Sequence, residues 1–240
     1  MICVRADYGN VVLFIGPNGA GKTTTARGVA QHLQQVGAAA VVVSIEILHR
    51  AVVGWACRDS VSRGSGPMRR RRLRSYRSSE LVALARQAGM HIGPDGDLCR
   101  GAGQLLPDPC SNRASAVAVA KWRGDRLVGE YVRTLVAEFA AGYDGIVLVD
   151  GRFRQDFPEA WLTMCLGVSP RVAALRARRS QRAVRRRDRQ DWRARGSLRL
   201  PQDLSEGFGI LDTDPLSPEQ ACAVVLQWMY GHMGLAMEAV

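Results

Sequence analysis

Val11-Val-Leu-Phe-Ile15-Gly16-Pro-Asn-Gly-Ala-Gly21-Lys22-Thr23 decides the reading of this chain. Five apolar residues, β-branched at three positions, describe a buried strand. They run without a break into a glycine-rich turn that matches G-x-x-x-x-G-K-[ST], the pattern that cradles phosphates. The chemistry explains the residue types. Successive backbone N–H groups can close around a phosphate only where no Cβ intrudes, and the helix that follows adds partial positive charge at its N-terminus. Gly16, Asn18, Gly19, Ala20, Gly21, Lys22, Thr23 and Thr24 are therefore the expected ATP-binding positions. Lys22 is expected to reach the β and γ phosphates, and Thr23 to place a hydroxyl on Mg²⁺. A small or apolar residue at Ala26, Val29, Ala30 and Leu33 gives the following helix one buried face, and Gly37 stands where a helix should stop.

Working outward, Ala38 to Val43, Ile146 to Val149 and Trp161 to Val168 are further continuous apolar runs. Strands this apolar are covered on both faces, and they alternate with helical segments at Val128 to Ala141, Pro170 to Arg182 and Ser217 to Met233. That alternation predicts an α/β fold with a parallel sheet of βαβ units. The last helix carries a capping box, with Ser217 at the cap, Pro218 at the first helical position and Gln220 three residues on. Asp150, at the end of Ile146-Val-Leu-Val149, is the acid expected to complete the Mg²⁺ site through water.

Two stretches fall outside the alternation. Residues 57 to 80, with Arg69-Arg-Arg-Arg-Leu-Arg74, read as a polar, mobile surface excursion, a run that could also bind polyphosphate or RNA. Arg171 to Arg199 holds twelve arginines. The whole chain has 33 basic against 22 acidic residues, a net charge of +11, and all but Lys22 and Lys121 of the basic ones are arginines. Arg offers the planar fork that meets phosphate bidentately, although an Arg-rich codon usage gives the same bias.

At 240 residues, with 47 % hydrophobic and 23 % charged positions, the chain can bury a sizeable core without staples, which excludes a disordered, collagenous or disulfide-scaffold protein. Cysteines 3, 57, 99, 110, 165 and 222 form no CxxC pair and have no histidine at zinc spacing, so they read as reduced, mostly buried thiols. The histidines suggest no ligand set. No signal-peptide core or membrane span is visible, so a cytoplasmic protein without membrane attachment is expected.

The second half resembles a family. Val149-Asp150-Gly151-Arg152, Phe157-Pro158-Glu159-Ala160, Gly167-Val-Ser169-Pro170 with its Arg-rich helix, and Ile210-Leu-Asp212-Thr213 before Leu216-Ser217 together resemble the cytidylate kinases. Pro94-Asp-Gly-Asp97 and Asn112-Arg-Ala-Ser115 look like that family's inserted monophosphate-binding region. The resemblance implies a three-layer P-loop kinase fold: core 1–43, acceptor-binding insertion 44–127, core 128–182, Arg-rich lid 183–199 and core 200–240. It implies ATP as donor, Mg²⁺, nucleotide substrates and, as the expected state, a monomer.

Carried over residue by residue, the likeness is uneven. Arg50 matches the arginine that holds the acceptor phosphate, while Ser44, Ile45, Glu46 and His49 depart from the family's D-[ST]-G-x-x-Y-R. Ser115 matches a serine near the base, and Arg126 or Arg123 the arginine after it. Arg152 matches the phosphate-binding arginine, but Phe153 replaces an acid used near the base. Arg187-Asp188-Arg-Gln-Asp191 fits the lid motif, with its last arginine displaced to Arg195 or Arg193. The likeness also assigns Arg178 and Thr213 to the ATP side, Arg50, Ser115, Arg126, Arg152, Phe153 and Asp191 to the acceptor, and Lys22, Arg152, Arg187 and Arg195 to catalysis. Phosphate-handling positions survive better than base-reading ones, which predicts a kinase of CMP, dCMP or a nucleotide with a modified or different base. The alternatives are a P-loop kinase of a non-nucleotide metabolite or antibiotic and, from another class, an ATP-dependent nucleic-acid-binding factor. Nucleic acid is the weaker expectation.

Overall fold

A computed structural model of the chain describes residues 10–62, 77–101, 104–105, 125–151, 160–179 and 207–233, with the side chains of 56–62, 104–105, 177–179 and 233 left outside. It falls into two compact units, one of residues 1–42 and 144–240, the other of residues 43–143.

The first unit is built on strands β1 (Val11–Ile15), β2 (Ala40–Ser44, whose last two residues fall in the second unit), β6 (Ile146–Asp150), β7 (Leu162–Gly167) and β8 (Phe208–Asp212). They form a five-stranded sheet in the order β2-β6-β1-β7-β8. The pairs β1–β6, β1–β7 and β7–β8 are parallel, with Phe14 beside Asp150 and Met164. The strand that feeds the glycine loop is thus central, and every residue of β1 is buried. Side chains alternate between faces along a strand. Val12, Phe14, Leu148, Met164 and Leu166 join one core cluster with Val29 and Leu33 of helix α1 (Lys22–Gln35) and Val225 and Met229 of helix α6 (Pro218–Met233). The α/β architecture with its parallel sheet is as the apolar runs predict.

Local signals are realised where they were legible. Gly37, at φ 80°, turns the chain out of α1. Ser217 and Gln220 close the capping box, with Gln220 N–H donating to Ser217 Oγ at 3.2 Å and Ser217 N–H to Gln220 Oε1 at 2.8 Å. Helix α5 (Pro170–Arg179) follows β7, its N-terminus capped by Ser169 Oγ, which accepts from Val172 N–H at 3.4 Å.

The second unit holds α2 (Ile45–Ser62), α3 (Ser78–Gln87), a small antiparallel sheet of β3 (Met90–Ile92), β4 (Leu98–Arg100) and β5 (Gln104–Leu105), and α4 (Arg126–Gly142). Val52, Val53, Leu81, Ala85, Val132 and Leu135 are among its buried residues, and Arg86 lies over the ring of Tyr131, 5.7 Å from its centroid. Asp125 caps α4 by accepting from Val128 N–H at 3.2 Å.

Two expectations are corrected. Both ends of the supposed excursion 57 to 80 are helical, since α2 runs to Ser62 and α3 starts at Ser78. Residues 63–76, including the Arg69 run, lie outside the described residues. Residues 128–143, expected with the core, cluster with the second unit, because α4 packs on α2, α3 and β3. Among the described residues no helix is long and apolar enough to cross a membrane.

Candidate active site

The glycine loop bridges β1 and α1, and its geometry follows from what surrounds it. Gly16 takes φ 139°, and a Cβ there would sit 2.2 Å from the carbonyl oxygen of Leu166 in β7. Gly19, at φ 87°, presses against Ala173 of α5, where a Cβ would lie 3.1 Å from the Ala173 backbone. Gly21, at φ 91°, is the N-cap of α1 and offers no side chain to cap it. Gly21 contributes no capping side chain to the first turn of that helix, and oriented peptide dipoles there favour an anion.

Lys22 is buried, and its Nζ donates to Gly16 O at 3.0 Å and Pro17 O at 3.1 Å. An ammonium resting on two loop carbonyls is held at the mouth of the cradle it would serve. Its charge is felt on β7, where it opposes the burial that pushes the Cys165 thiol up. Thr23 donates from its hydroxyl to Asp150 Oδ2, a short contact across 127 positions of sequence. Asp150 is itself buried at the C-terminal end of β6, the strand beside β1. A hydroxyl and a carboxylate side by side are oxygen donors of the kind Mg²⁺ takes, alongside water and substrate phosphates. Among the described residues no group of three or more His, Cys, Asp or Glu forms a protein-only metal cage. One acid and one hydroxyl at a phosphate loop fit a cation that arrives with a nucleotide.

The far side of the loop carries contacts that sequence alone missed. Arg176 on α5 donates to Gly19 O at 3.2 Å, to Thr213 Oγ1 at 2.9 Å and to Thr213 O at 2.5 Å. Thr213, buried just after β8, lies with its hydroxyl 3.1 Å from Ala20 O and 2.8 Å from Gly167 O. Asp214 accepts from Ser169 N–H at 2.8 Å, and the Ser169 hydrogen bonds together with the nearby Arg176 charge hold its carboxyl below the usual range. The arginine expected on this side was Arg178, but the side chain that meets the loop is Arg176; that of Arg178 is outside the described set. The missed signal is helical phase. Arg176 stands seven residues beyond the N-cap, on the same face as Ala173, which packs against Gly19.

Two other expected positions belong to the second unit. Arg50 sits in α2 and pairs with Glu46 one turn earlier. Arg126, at the start of α4, is strongly exposed and pairs with Glu130 at 2.7 Å. Ser115, Arg123, Arg152, Phe153, Arg187, Asp191, Arg193 and Arg195 lie outside the described residues. Asn18 and Thr24 are exposed at the loop and the first turn of α1.

The AAA family, described as ATPase family associated with various cellular activities, matches residues 12–62, a stretch that takes in β1, the loop, α1, β2 and α2. Comparison with curated proteins yields no match. Among solved structures the chain is similar to an unliganded sugar kinase from Janibacter sp. HTCC2649, at 18 % identity over 92 % of this chain and 94 % of that one, with a TM-score of 0.45. It is also similar to TT1252 from Thermus thermophilus, at 15 % identity over 92 % and 96 % of the two chains, with a TM-score of 0.45. The loop with its flanking strand and helix, in a five-stranded sheet, and the family match over residues 12–62 define the class at the level of a P-loop nucleotide-binding core. The matched stretch carries the phosphate loop and does not extend to the residues that resemble the cytidylate kinases in the second half of the chain.

Proposed function

We propose that the chain is an ATP-dependent phosphotransferase acting on a nucleoside monophosphate, either CMP or dCMP or one with a modified or different base, to give the diphosphate and ADP. The observation that carries the reading is the meeting of Lys22, Thr23 and Asp150 at the glycine loop. In this reading the loop N–H groups hold the triphosphate, and Lys22 exchanges the carbonyls of Gly16 and Pro17 for the β and γ phosphates. Thr23 and Asp150 would hold Mg²⁺, which supplies charge neutralisation of the phosphate chain when bound. Phosphoryl transfer asks mainly for alignment and charge. The bond from the γ-phosphorus to the β-bridging oxygen breaks, one to an acceptor oxygen forms, and an acceptor phosphate needs no dedicated base. Arg50 and Arg152 would orient that phosphate. Ser115, Arg126 or Arg123, Phe153 and Asp191 would contact the acceptor, with Ser115 and Phe153 near its base. Arg187 with Arg195 or Arg193 would close over the phosphates and exclude water. Residues 44–127 as acceptor region and 183–199 as lid belong to the same proposal.

One observation favours a second reading. Glu46 already offsets the charge of Arg50, and a carboxylate beside the acceptor arginine suits a hydroxyl acceptor, which must give up a proton, better than a dianionic phosphate. A non-nucleotide metabolite or antibiotic carrying a hydroxyl is then the substrate class. The test is ADP release with ATP and Mg²⁺ over a panel of nucleoside monophosphates and hydroxylated small molecules, with Lys22→Ala as the blank. A monophosphate kinase loses acceptor affinity in Arg50→Ala and keeps turnover in Glu46→Gln; a hydroxyl kinase does the reverse. Silence across the panel, with turnover appearing only on added nucleic acid, would sink both.

A further inference from the structure

A phosphate loop works only while its peptide units face the right way, and a glycine-rich one has little steric resistance to flipping. Gly16, Gly19 and Gly21 all sit at positive φ, and at Gly19 and Gly21 no side chain of the residue itself resists rotation of the peptide units beside it. In a trans peptide the C=O of one residue and the N–H of the next point to opposite sides. A group that takes the Gly19 and Ala20 carbonyls from outside the loop therefore turns the N–H groups of Ala20 and Gly21 inward. Ala20 N–H closes on Pro17 O at 3.3 Å within the loop, a bond that an incoming phosphate would replace.

Arg176 and Thr213 are that group. One guanidinium nitrogen reaches Gly19 O and Thr213 Oγ1, the other reaches Thr213 O. Because the Thr213 hydroxyl accepts from Arg176, its own proton is left for Ala20 O at 3.1 Å or Gly167 O at 2.8 Å. Thr213 N–H donates to Gly167 O at 3.0 Å, which anchors the whole arrangement to the end of β7. The guanidinium thus straps three separate segments, α5, the loop and the turn after β8. It does so from the partly solvent-facing side of α5, where burial of Arg176 adds little to the core.

The geometry points to Arg176, acting through Thr213, as a positioning residue that holds the Gly19-Ala20-Gly21 peptide units in the orientation that binds the polyphosphate chain of the nucleotide. The inference rests on the phosphate-loop reading above and adds to it a residue that the loop motif does not contain. It also recasts Thr213, expected as an ATP contact, as the link between Arg176 and the loop.

A base-free probe separates this role from a direct contact with the nucleobase. Binding of MgATP and of inorganic tripolyphosphate with Mg²⁺ is measured by calorimetry on the full chain, as wild type, Arg176→Gln, Arg176→Lys, Thr213→Val and Lys22→Ala, with apo melting temperatures alongside. Arg176→Gln is expected to weaken both ligands by about tenfold, the loss of one charged donor's hydrogen bonds, with its apo melting temperature close to wild type. Arg176→Lys, which keeps the charge but not the fork, should fall between. Loss confined to ATP, or unchanged affinity for both ligands, overturns the inference. Should Thr213→Val not fold, the two Arg176 variants decide the matter. Wild-type protein that binds neither ligand in a Lys22-dependent way refutes the phosphate-loop reading itself, and this inference falls with it.

Discussion

Gly16→Ala is the substitution whose cost is set most sharply by the surroundings of the loop. The new Cβ would lie 2.2 Å from Leu166 O, and that oxygen belongs to the backbone of β7 rather than to a yielding side chain. β7 is held on both sides, by β1 through Phe14–Met164 and Ile15–Cys165 and by β8 through Leu166–Leu211. Retreat of the carbonyl would open one of those ladders. Overpacking against a rigid neighbour costs ~1–3 kcal/mol. An L-residue held at φ 139° costs a further ~1–3 kcal/mol of backbone strain. Together they come to about 2–6 kcal/mol, against a total stability of ~5–15 kcal/mol. In a chain of this size that is a fall in melting temperature of roughly 5–20 °C. Gly37→Ala is the control, since its φ is also positive, at 80°, but nothing lies within 4 Å of the added Cβ. It should cost only the strain, ~1–2 kcal/mol. Thermal unfolding of the two apo variants followed by circular dichroism decides it. Equal shifts, or a Gly16→Ala protein that melts with the wild type and still binds MgATP, would refute the packing argument.

Other outcomes follow from single contacts. A Cβ on Gly28 in α1 would come 2.4 Å from Cys222 Sγ in α6, so Gly28→Ala should destabilise by ~1–3 kcal/mol. Adding Cys222→Ala should recover at least ~1 kcal/mol of that in a double-mutant cycle, whereas additive effects would show that the helices have room. Asp150→Asn and Thr23→Val each remove one partner of the hydroxyl–carboxylate pair. Both should raise the Mg²⁺ concentration needed for half-maximal turnover by about tenfold or more, with the ATP dependence at saturating Mg²⁺ less affected. Asp214 has its carboxyl held below the ordinary range by Ser169 and then by Arg176. A depressed carboxylate lends stability above its unfolded value and loses it as pH falls through the folded one. The melting temperature of wild type should therefore drop more steeply below about pH 4 than that of Asp214→Asn. Burial raises the thiols of Cys165 and Cys222, so mapped alkylation at pH 8 should be slow at both in the folded protein and fast after unfolding.

What the sequence determined by itself was everything that a local constraint dictates. The glycine loop is legible because residues without a Cβ are the ones that tolerate its positive φ values, and the lysine and threonine after it complete the motif. The strands β1, β6 and β7 are legible because a parallel sheet buried on both faces must be apolar without interruption. Ser217 and Gln220 are legible because a capping box closes over three residues. The helix α2 was not, since its start, Ile45 to Arg50, falls where the resemblance places a binding motif and its far end runs into the basic stretch. The strands β3, β4 and β5 span only two or three residues each, too few for an alternation to register.

Only the tertiary structure decided which distant groups meet. The motifs already assign Thr23 and Asp150 to one metal site, but that the two share a hydrogen bond follows from the strand order, β6 beside β1. On α5 the resemblance pointed to Arg178, whose side chain lies outside the described residues, and it did not point to Arg176, which the packing of Ala173 on Gly19 turns toward the loop. Which side chain reaches a site depends on the phase of its helix against the sheet, and that phase is fixed by packing, which a sequence read along one dimension does not contain.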